Sequence, residues 1–470
     1  MSIGAENRFD GMQAGAIERC LSNHERLSPE YAAFVRDSLL WTGSTAATGA
    51  FLEQKMPEFA QRYQYPLQAW PVIVESGLHR EMGDIALRLV SLAYSIPARV
   101  FDSDSRRLLE HYGCAEAPRM RDAFRAPVGL ETAISRTDMV LTREGPKLLE
   151  FNMGSNIGGW QVFLLEELYR SEPALAEFAA RNGLELECPN ALWGLILHCL
   201  RAGEAHVKGD SRCVNLAITM RPGLQERNQA LMTYFNEGLA RRGYPGHVFG
   251  YTEASPIEVS GGMLRIEGRP VHAVFNYVRL EQTPLPVLDA FKSGLFALIN
   301  APASYVLSSK QSVALLSEWA DSGRLPSEEC SFVRRHVPWT RHLGATLDFR
   351  GDHGDSLSVL AKHQDALVLK PGDGFHGTDV LLGCNAAKDE WTEACRRARE
   401  NGGFVVQERC LSLEYLAQRD GVTVPHHFVW GLWTFGSTFG GNWVRALPCN
   451  HPRGVINSFQ GATEAIVFEC

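Results

Sequence analysis

The sequence has few of the features that mark secreted, membrane-spanning or nucleic-acid-binding proteins. It contains no apolar run of 18 residues, and its start, MSIGAENRFDGMQAG, has neither a cationic nor an apolar segment. It contains no block of five basic residues, and 46 Lys and Arg against 54 Asp and Glu give a net charge of −8. We therefore expect a cytoplasmic protein without nucleic acid or membrane as a partner. Nothing in the sequence indicates an oligomeric state.

Cysteine patterning of the kind that builds disulfide frameworks or zinc sites is also lacking. The 11 cysteines are scattered, odd in number and never spaced C-x-x-C, so we expect reduced, mostly buried thiols. The content of 45% hydrophobic and 21% charged residues is typical of a globular protein, and 470 residues suffice for about three structural units.

Three regions of different pattern follow one another along the chain. The first, to about residue 125, has apolar residues spaced for helices, and the strand-like runs TDMVLT and KLLEFN follow it, with one long helix expected over 160–182. Residues from about 190 to 304 alternate between helix and strand patterns, which predicts a small α/β domain. The last third mixes helices with strands such as ALVLKP and FVVQERC.

A hairpin is predicted where TDMVLT and KLLEFN meet. A three-residue loop ending in Gly145 fits the left-handed conformation that such a turn requires at its third position. Thr142 would then face Pro146, and Asp138 would face Glu150. Two directly opposed carboxylates repel each other, so this register needs a compensating group.

A divalent cation is one such group. Asp138 and Glu150 would share a face with Arg136 and Asn152, because side chains two apart on a strand point the same way. Carboxylate and amide oxygens suit Mg²⁺, which completes its coordination with water and substrate phosphates. The alternative is a solvent-facing hairpin whose charges are simply hydrated.

A glycine loop follows Lys370 in ALVLKPGDGFHGTDVLLG. Gly372, Gly374 and Gly377 satisfy G-x-G-x-x-G, but a dinucleotide site needs a helix at the loop and TDVLLG has a strand pattern. A strand–loop–strand unit can instead cover nucleotide phosphates, although the lysine precedes the loop here and no H-R-D or D-F-G is present, unlike in protein kinases. An ordinary tight turn is the alternative.

Taken together, several motifs resemble the circularly permuted ATP-grasp ligases, nearest to the glutathionylspermidine synthetase-like proteins. Their order is R-x-D at Arg136, E-x-N at Glu150, S-K at Lys310, K-P with the glycine loop at Lys370, and V-V-Q-E ending at Glu408. The resemblance implies an α+β fold in which two subdomains clasp ATP, with permuted order and an inserted α/β domain. It implies a helical region over 1–125, a metal-binding part over 126–190, a pre-ATP-grasp domain over 191–304 and an ATP-binding part over 305–470.

The resemblance also assigns roles to individual residues. Two Mg²⁺ ions would be held by Asp138, Glu150 and Asn152, with Arg136 stabilising the transferred phosphate. Contacts with ATP would come from Lys310, Lys370, Gly374, His376, Gly377, Thr378, Gln407, Glu408 and Cys410. Substrate contacts, the least specific of these assignments, would come from Ser155, Asn156, Tyr277, Arg279, Arg445 and Asn457.

The reaction that the resemblance implies is carboxylate–amine ligation. An acid would attack the γ-phosphate of ATP, and an amine would displace phosphate from the resulting acyl phosphate. The glycine loop has the sequence Asp-Gly-Phe-His-Gly, whereas glutathionylspermidine synthetases have an Arg-Glu-Gly pattern, and no segment is left for the amidase domain of those proteins. Glutathione and spermidine are therefore not the expected substrates. An ATP-dependent phosphotransferase on the same fold and a non-catalytic nucleotide-binding protein remain as alternatives.

Overall fold

The computed structural model describes residues 14–40, 63, 65–114, 117, 121, 129–154, 157–209, 212–223, 228–278, 280–374, 379–419 and 422–470. The α-helices, numbered α1 to α14 in chain order, are Ala14–Glu25, Pro29–Leu40, Ser76–Phe101, Ser105–His111, Glu166–Arg170, Pro173–Asn182, Ala191–Gly203, Gln229–Arg241, Leu285–Lys292, Pro302–Leu307, Gln311–Asp321, Ser327–His336, Ser356–Lys362 and Lys388–Asn401. None of the described helices combines the length and the apolar character needed to cross a bilayer.

Within the described residues, the strands form five sheets of a mixed α+β structure. In chain order, β1 to β20 are Val72–Val74, Ile134–Thr142, Gly145–Asn152, Val214–Thr219, Gly246–Tyr251, Ile257–Ser260, Met263–Ile266, Arg269–Pro270, Ala273–Phe275, Ala297–Ile299, Thr340–His342, Thr346–Phe349, Asp352–Asp355, Leu367–Pro371, Leu381–Leu382, Phe404–Glu408, Glu414–Arg419, Val422–Phe435, Thr438–Pro448 and Thr463–Glu469.

The largest sheet has seven strands and joins distant parts of the chain. Its order is β1-β20-β19-β18-β2-β3, and β17 also pairs with β18. The long strand β18 pairs with β17 along its first half and with β2 along its second half, so the early hairpin β2–β3 lies in one sheet with the C-terminal strands. The side chains of Met139, Leu148 and Phe151 anchor the hairpin in the main hydrophobic core.

A four-stranded antiparallel sheet, β11-β16-β14-β15, forms a smaller lobe with its own core. Leu367 and Leu369 of β14 and Val406 of β16 pack there against Trp391 of α14. Because side chains alternate across a strand, Val368 and Lys370 project from the opposite face of β14. The lobe therefore presents one apolar and one cationic side chain of this strand on the face away from its own core.

The α/β unit after residue 190 contains a parallel sheet of order β10-β9-β4-β5. Buried apolar side chains of this sheet, among them Ala217, Val274 and Leu298, form a third core. Helix α7 packs against β4 and β9. This is the helix and strand alternation that the sequence predicts for the region.

The long helix expected over 160–182 is divided into shorter segments. A 3₁₀ helix over Trp160–Leu165 is followed by α5 and α6. The break comes at Glu172, whose side chain caps α6 by accepting from the backbone N–H of Leu175, and at Pro173, which has no N–H to donate to the preceding turn.

Candidate functional site

The hairpin β2–β3 pairs its acidic residues as predicted, but its turn differs from the predicted one. Gly145 has φ of +104°, as the turn requires, but it pairs with Thr142, so Pro146 faces Leu141. The expected pairing of Thr142 with Pro146 is therefore wrong by one residue. A β-bulge at Leu149 adds a residue to β3 and restores the register.

Beyond the bulge, the pairs that carry the chemistry are confirmed. Asp138 faces Glu150, and Arg136 faces Asn152. The amide of Asn152 donates to the backbone carbonyl of Arg136 over 3.3 Å, which leaves the Asn152 carbonyl oxygen for other partners. The side chain of Glu150 keeps 29% of its surface exposed, whereas that of Asp138 is almost completely buried.

Two guanidinium groups hold the buried Asp138 carboxylate. Arg136 contacts both of its oxygens, at 2.8 Å and 3.1 Å, and Arg445 donates to one of them over 2.5 Å. Burial alone would raise the pKa of Asp138, but Arg136 and Arg445 hold that pKa below its ordinary value. Asp138 is thus ionised and has at most one lone-pair position left.

Gly431 makes the space in which this cluster packs. It lies between Asp138 on β2 and Trp443 on β19, and a Cβ atom there would come within 2.2 Å of the Trp443 ring. The Trp443 ring in turn lies 5.6 Å from the guanidinium carbon of Arg136 and 5.3 Å from that of Arg445. Both arginines are therefore held by a carboxylate and by an aromatic ring.

Lys370 reaches the hairpin from the small sheet. Its ammonium donates to the side-chain oxygen of Gln407 over 2.6 Å and to the backbone carbonyl of Leu149 over 3.1 Å. Gln407, on the neighbouring strand β16, is itself held by a hydrogen bond to the Thr340 hydroxyl. Burial lowers the pKa of Lys370 to about 8, although Glu150 opposes this shift.

Lys310 contacts the same hairpin from the start of α11. Its ammonium lies 3.2 Å from a carboxylate oxygen of Glu150 and 3.2 Å from the carbonyl of Gly374, in the glycine loop. Burial would raise the pKa of Glu150, but Lys310, followed by Lys370 and Arg445, holds it below its ordinary value. The two lysines and the acidic pair are thus brought together, although long stretches of chain separate them.

A cavity of about 230 Å³ lies between the small sheet and the seven-stranded sheet. The following residues singled out by the sequence line it: Asp138, Glu150, Lys370, Gln407, Glu408, Cys410, Arg445 and Asn457. The lining does not include Arg136, Asn152, Lys310 or Gly374. Arg136 and Lys310 contact the lining residues Asp138 and Glu150, and Asn152 and Gly374 in turn contact Arg136 and Lys310. Cys410 is partly buried, and this burial raises the pKa of its thiol to about 12.

Tyr277 lies elsewhere, at the end of β9. Its hydroxyl accepts from the side chain of Gln161, and its ring packs edge-on against Trp160. The predicted site residues Ser155, Asn156, Arg279, His376, Gly377 and Thr378 lie outside the described residues. After the glycine loop the chain enters the short strand β15 and then a 3₁₀ helix over Gly383–Asn385, not the long helix of a dinucleotide site.

Apolar walls of the cavity were not predicted from the sequence. Val368 and Val429 face it from the two sheets, and Leu411 and Ile456 close it from connecting segments. Val368 could have been predicted from the sequence, because it lies two residues before Lys370 on the same face of the strand. Val429 depends on pairing between distant strands, and Leu411 and Ile456 depend on where the connecting segments run.

The charges around the hairpin decide what can bind. Arg136, Arg445, Lys310 and Lys370 supply four positive charges against two negative charges from Asp138 and Glu150, an excess of two positive charges. Among the described residues, no group of three or more His, Cys, Asp and Glu side chains is arranged to hold a metal ion. Glu150 and the free oxygen of Asn152 are suitable ligands for a hard cation. Because the surrounding charge is positive, we expect such a cation to bind only together with an anion.

Comparison with known proteins gives a fold relationship. No protein-family model and no curated protein sequence matches the chain. The structure is similar to that of a glutathione synthetase-like effector from Globodera pallida in its apo form, with a TM-score of 0.53, 11% identity and coverage of 86% of this chain and 90% of that one. A D-alanyl-alanine synthetase A from Vibrio cholerae gives a TM-score of 0.27 and 11% identity over 47% of this chain and 67% of that one. Of these two similarities, only the first is strong enough to support a shared fold.

Proposed function

We propose that the chain is an ATP-grasp enzyme that joins a carboxylate to an amine at the expense of ATP, through an acyl phosphate. The carrying observation is the meeting of Lys310 and Lys370 with Glu150 and Asp138 at one cavity between two sheets. The fold likeness to a glutathione synthetase-like protein supports the same proposal.

In this proposal the nucleotide lies between the sheets. Val368 and Val429 would enclose the base, with Glu408 and the backbone near Cys410 at its edge. Lys370, held by Gln407 and the Leu149 carbonyl, would contact the phosphates, and Lys310 would reach them from the glycine-loop side. Fixed positive charge at the transferring phosphate stabilises the charge that develops there and needs no reorganisation during the reaction.

Glu150 and Asn152 would hold Mg²⁺, with Asp138 offering one remaining position. When bound with the nucleotide, the ion would neutralise phosphate charge. Arg445 and Arg136, oriented by Asp138, would hold the carboxylate of the acid substrate and then the acyl phosphate. An in-line arrangement of acid and γ-phosphate is the part of catalysis that such positioning supplies.

The acid and the amine are small molecules or peptides in this proposal, and the experiment is a screen for ADP release with amino acids and small peptides supplied in pairs. Hydroxylamine should replace the amine and trap the acyl phosphate as a hydroxamate. Lys370→Met should remove both products, whereas Lys362→Met, at a lysine 63% exposed on the small lobe, should leave both unchanged.

The outcomes separate the candidate functions. ADP release with a hydroxamate supports the ligase. ADP release with a phosphorylated acid and no hydroxamate would replace it with a phosphotransferase. Binding of ATP without acid-dependent ADP release from any pair would indicate a nucleotide-binding protein without this activity.

A further inference from the structure

Glu464 lies on the same sheet face as the cluster around Asp138 and has no part in the function proposed above. It is directly opposite Arg445 in the ladder between β19 and β20, and directly opposite residues share a face. The Arg445 side chain reaches across to Asp138, on the other side of β18. Asp138, Arg445 and Glu464 therefore follow one another across the sheet.

The surroundings of Glu464 leave a carboxyl group without a counterion. The residue is 1% exposed, and one of its side-chain oxygens accepts from the Ser458 hydroxyl. Its other oxygen, Oε2, has no hydrogen-bond partner among the described residues, and the same holds for Nε of Arg445 beside it. Burial raises the pKa of Glu464 well above its ordinary value. An unpaired buried carboxyl is costly, which points to a missing partner.

Glu464 is not itself a lining residue of the nucleotide cavity, but the segment that supplies Ser458 runs from that cavity to Glu464. Asn457, the preceding residue, lines that cavity, and Phe459, the next one, packs edge-on against Tyr65 at a ring distance of 5.3 Å. The chain beside Tyr65 bonds to Glu464 as well, because the Glu464 N–H donates to the carbonyl of Pro66. Aromatic rings beside an acid favour a cationic group.

We propose that Glu464 binds the attacking nitrogen of the amine co-substrate and takes its proton. This inference rests on the proposed ligase function. Arg445 lies between Glu464 and Asp138, so an amine at Glu464 would approach the acyl group from the side opposite to the lysines that contact the nucleotide. Lys310 and Lys370 would hold the phosphates, Arg445 the acyl group, and Glu464 the nucleophile.

The chemical step balances with these partners. Because burial without a counterion favours the neutral acid, Glu464 ionises when the ammonium group of the amine binds beside it, and its proton is released to solvent. The ammonium then transfers one proton to the Glu464 carboxylate, and the nitrogen lone pair forms a C–N bond with the carbonyl carbon of the acyl phosphate. The bond from that carbon to the phosphate oxygen breaks, and phosphate leaves with the electron pair. The second proton on nitrogen passes to the departing phosphate, which yields a neutral amide.

Glu464→Gln tests the inference, because an amide keeps the size and the oxygen that accepts from Ser458 but can neither pair with an ammonium nor take its proton. The probes are hydroxylamine, which is uncharged at neutral pH, and the amino acids and small peptides of the paired screen. Product formation from these amines should fall by about 100-fold or more, the usual contribution of a general base, while hydroxamate formation stays within about threefold of the unmodified protein.

Equal losses with hydroxylamine and with the amines would overturn the inference in favour of a structural role, and so would unchanged rates with both. If the unmodified protein forms neither hydroxamate nor ADP, the ligase function itself fails, and the two failures are distinguishable. Should Glu464→Gln not fold, Glu464→Asp retains the charge but withdraws it by one methylene. That variant should raise KM for the amine by about tenfold with hydroxamate formation unchanged, and an unchanged KM would overturn the inference.

Discussion

The ammonium group of Lys370 donates to the backbone carbonyl of Leu149, the extra residue of the β-bulge in the acidic hairpin. β3 lies at the edge of the seven-stranded sheet, so a carbonyl that points away from β2 is free to meet the small sheet. The irregularity that restores the pairing of Asp138 with Glu150 thus also supplies the acceptor that places Lys370 opposite them. The one inserted residue therefore positions groups on both walls of the cavity.

Deletion of Leu149 should separate these two effects. Asp138 and Glu150 remain paired in the shortened strand, because the bulge is the only register shift in the hairpin, but Lys370 loses an acceptor. A hydrogen bond to a charged group contributes about 1.5–3 kcal/mol, so ATP should bind about tenfold more weakly and the melting temperature should fall. Leu149→Ala retains the carbonyl but shortens a side chain that lines the cavity, so it should weaken ATP binding less than the deletion does in the same calorimetric titration. Equal weakening in both variants would show that the side chain matters, not the carbonyl.

Asp138→Asn and Glu150→Gln should both abolish ADP release, yet only the first should destabilise the fold strongly. Removing the charge of Asp138 leaves Arg136 and Arg445 as buried, uncompensated cations, a change that typically costs about 3–5 kcal/mol. Glu150 is partly exposed, and Lys310 keeps the Gly374 carbonyl when the Glu150 charge is lost. Denaturant unfolding measures the difference. Asp289→Asn, at an exposed ion pair, is the matched control and should change stability by less than about 1 kcal/mol.

Local chemistry explains what could be predicted from the sequence. The sequence-based register placed Glu150 opposite Asp138 because two differences cancelled: the turn pairing was wrong by one residue, and the bulge at Leu149 compensated for it. The K-P and V-V-Q-E motifs predicted that Lys370 and Gln407 lie at a common site, and their side chains are hydrogen-bonded to each other. The bulge was not predictable, because either register of the turn satisfies Gly145. Only burial of Leu148 and Phe151 selects between them.

Residues that depend on long-range strand pairing were harder to predict. Arg445 was given only a weak substrate role, because nothing in NWVRAL indicates that β18 will bring it next to Asp138. Glu464 was not singled out at all. The available signal was an acid inside the apolar run ATEAIVFEC, where an inward-facing position on a strand is as frequent as an outward-facing one.

The affinity for ATP should depend on pH through Lys370. Burial lowers its pKa from the ordinary 10.5 to about 8, so the free protein loses this positive charge as the pH rises through about 8. ATP affinity should be constant below about pH 7 and fall by up to about tenfold per unit above pH 8, because binding then requires uptake of a proton. Lys370→Met should bind weakly at every pH without this slope in fluorescence titrations. An equal slope in the variant would assign the effect to another group.

The free energy of unfolding should depend on pH in the opposite direction. A lysine whose pKa is lowered in the folded state favours folding in its neutral form, so its contribution is fully present above about pH 10.5 and is lost as the pH falls through about 8. Between these values the unmodified protein should gain stability relative to Lys370→Met as the pH rises. Parallel denaturant titrations of the two proteins measure this difference, and a constant difference across the range would contradict the cause assigned to the Lys370 pKa.

Divalent cations should bind together with the nucleotide and hardly at all without it. The excess of two positive charges around the acidic pair repels a free divalent ion, whereas a complex of the ion with the triphosphate of ATP carries net negative charge. Mn²⁺ with a non-hydrolysable ATP analogue should give a strong water-proton relaxation enhancement that is lost in Glu150→Gln. Mn²⁺ and protein alone should give an affinity at least tenfold weaker. Tight stoichiometric binding of Mn²⁺ to the free protein would mean that Asp138 exchanges its arginine partners for the metal and that the charge balance described for the cluster does not control the order of binding.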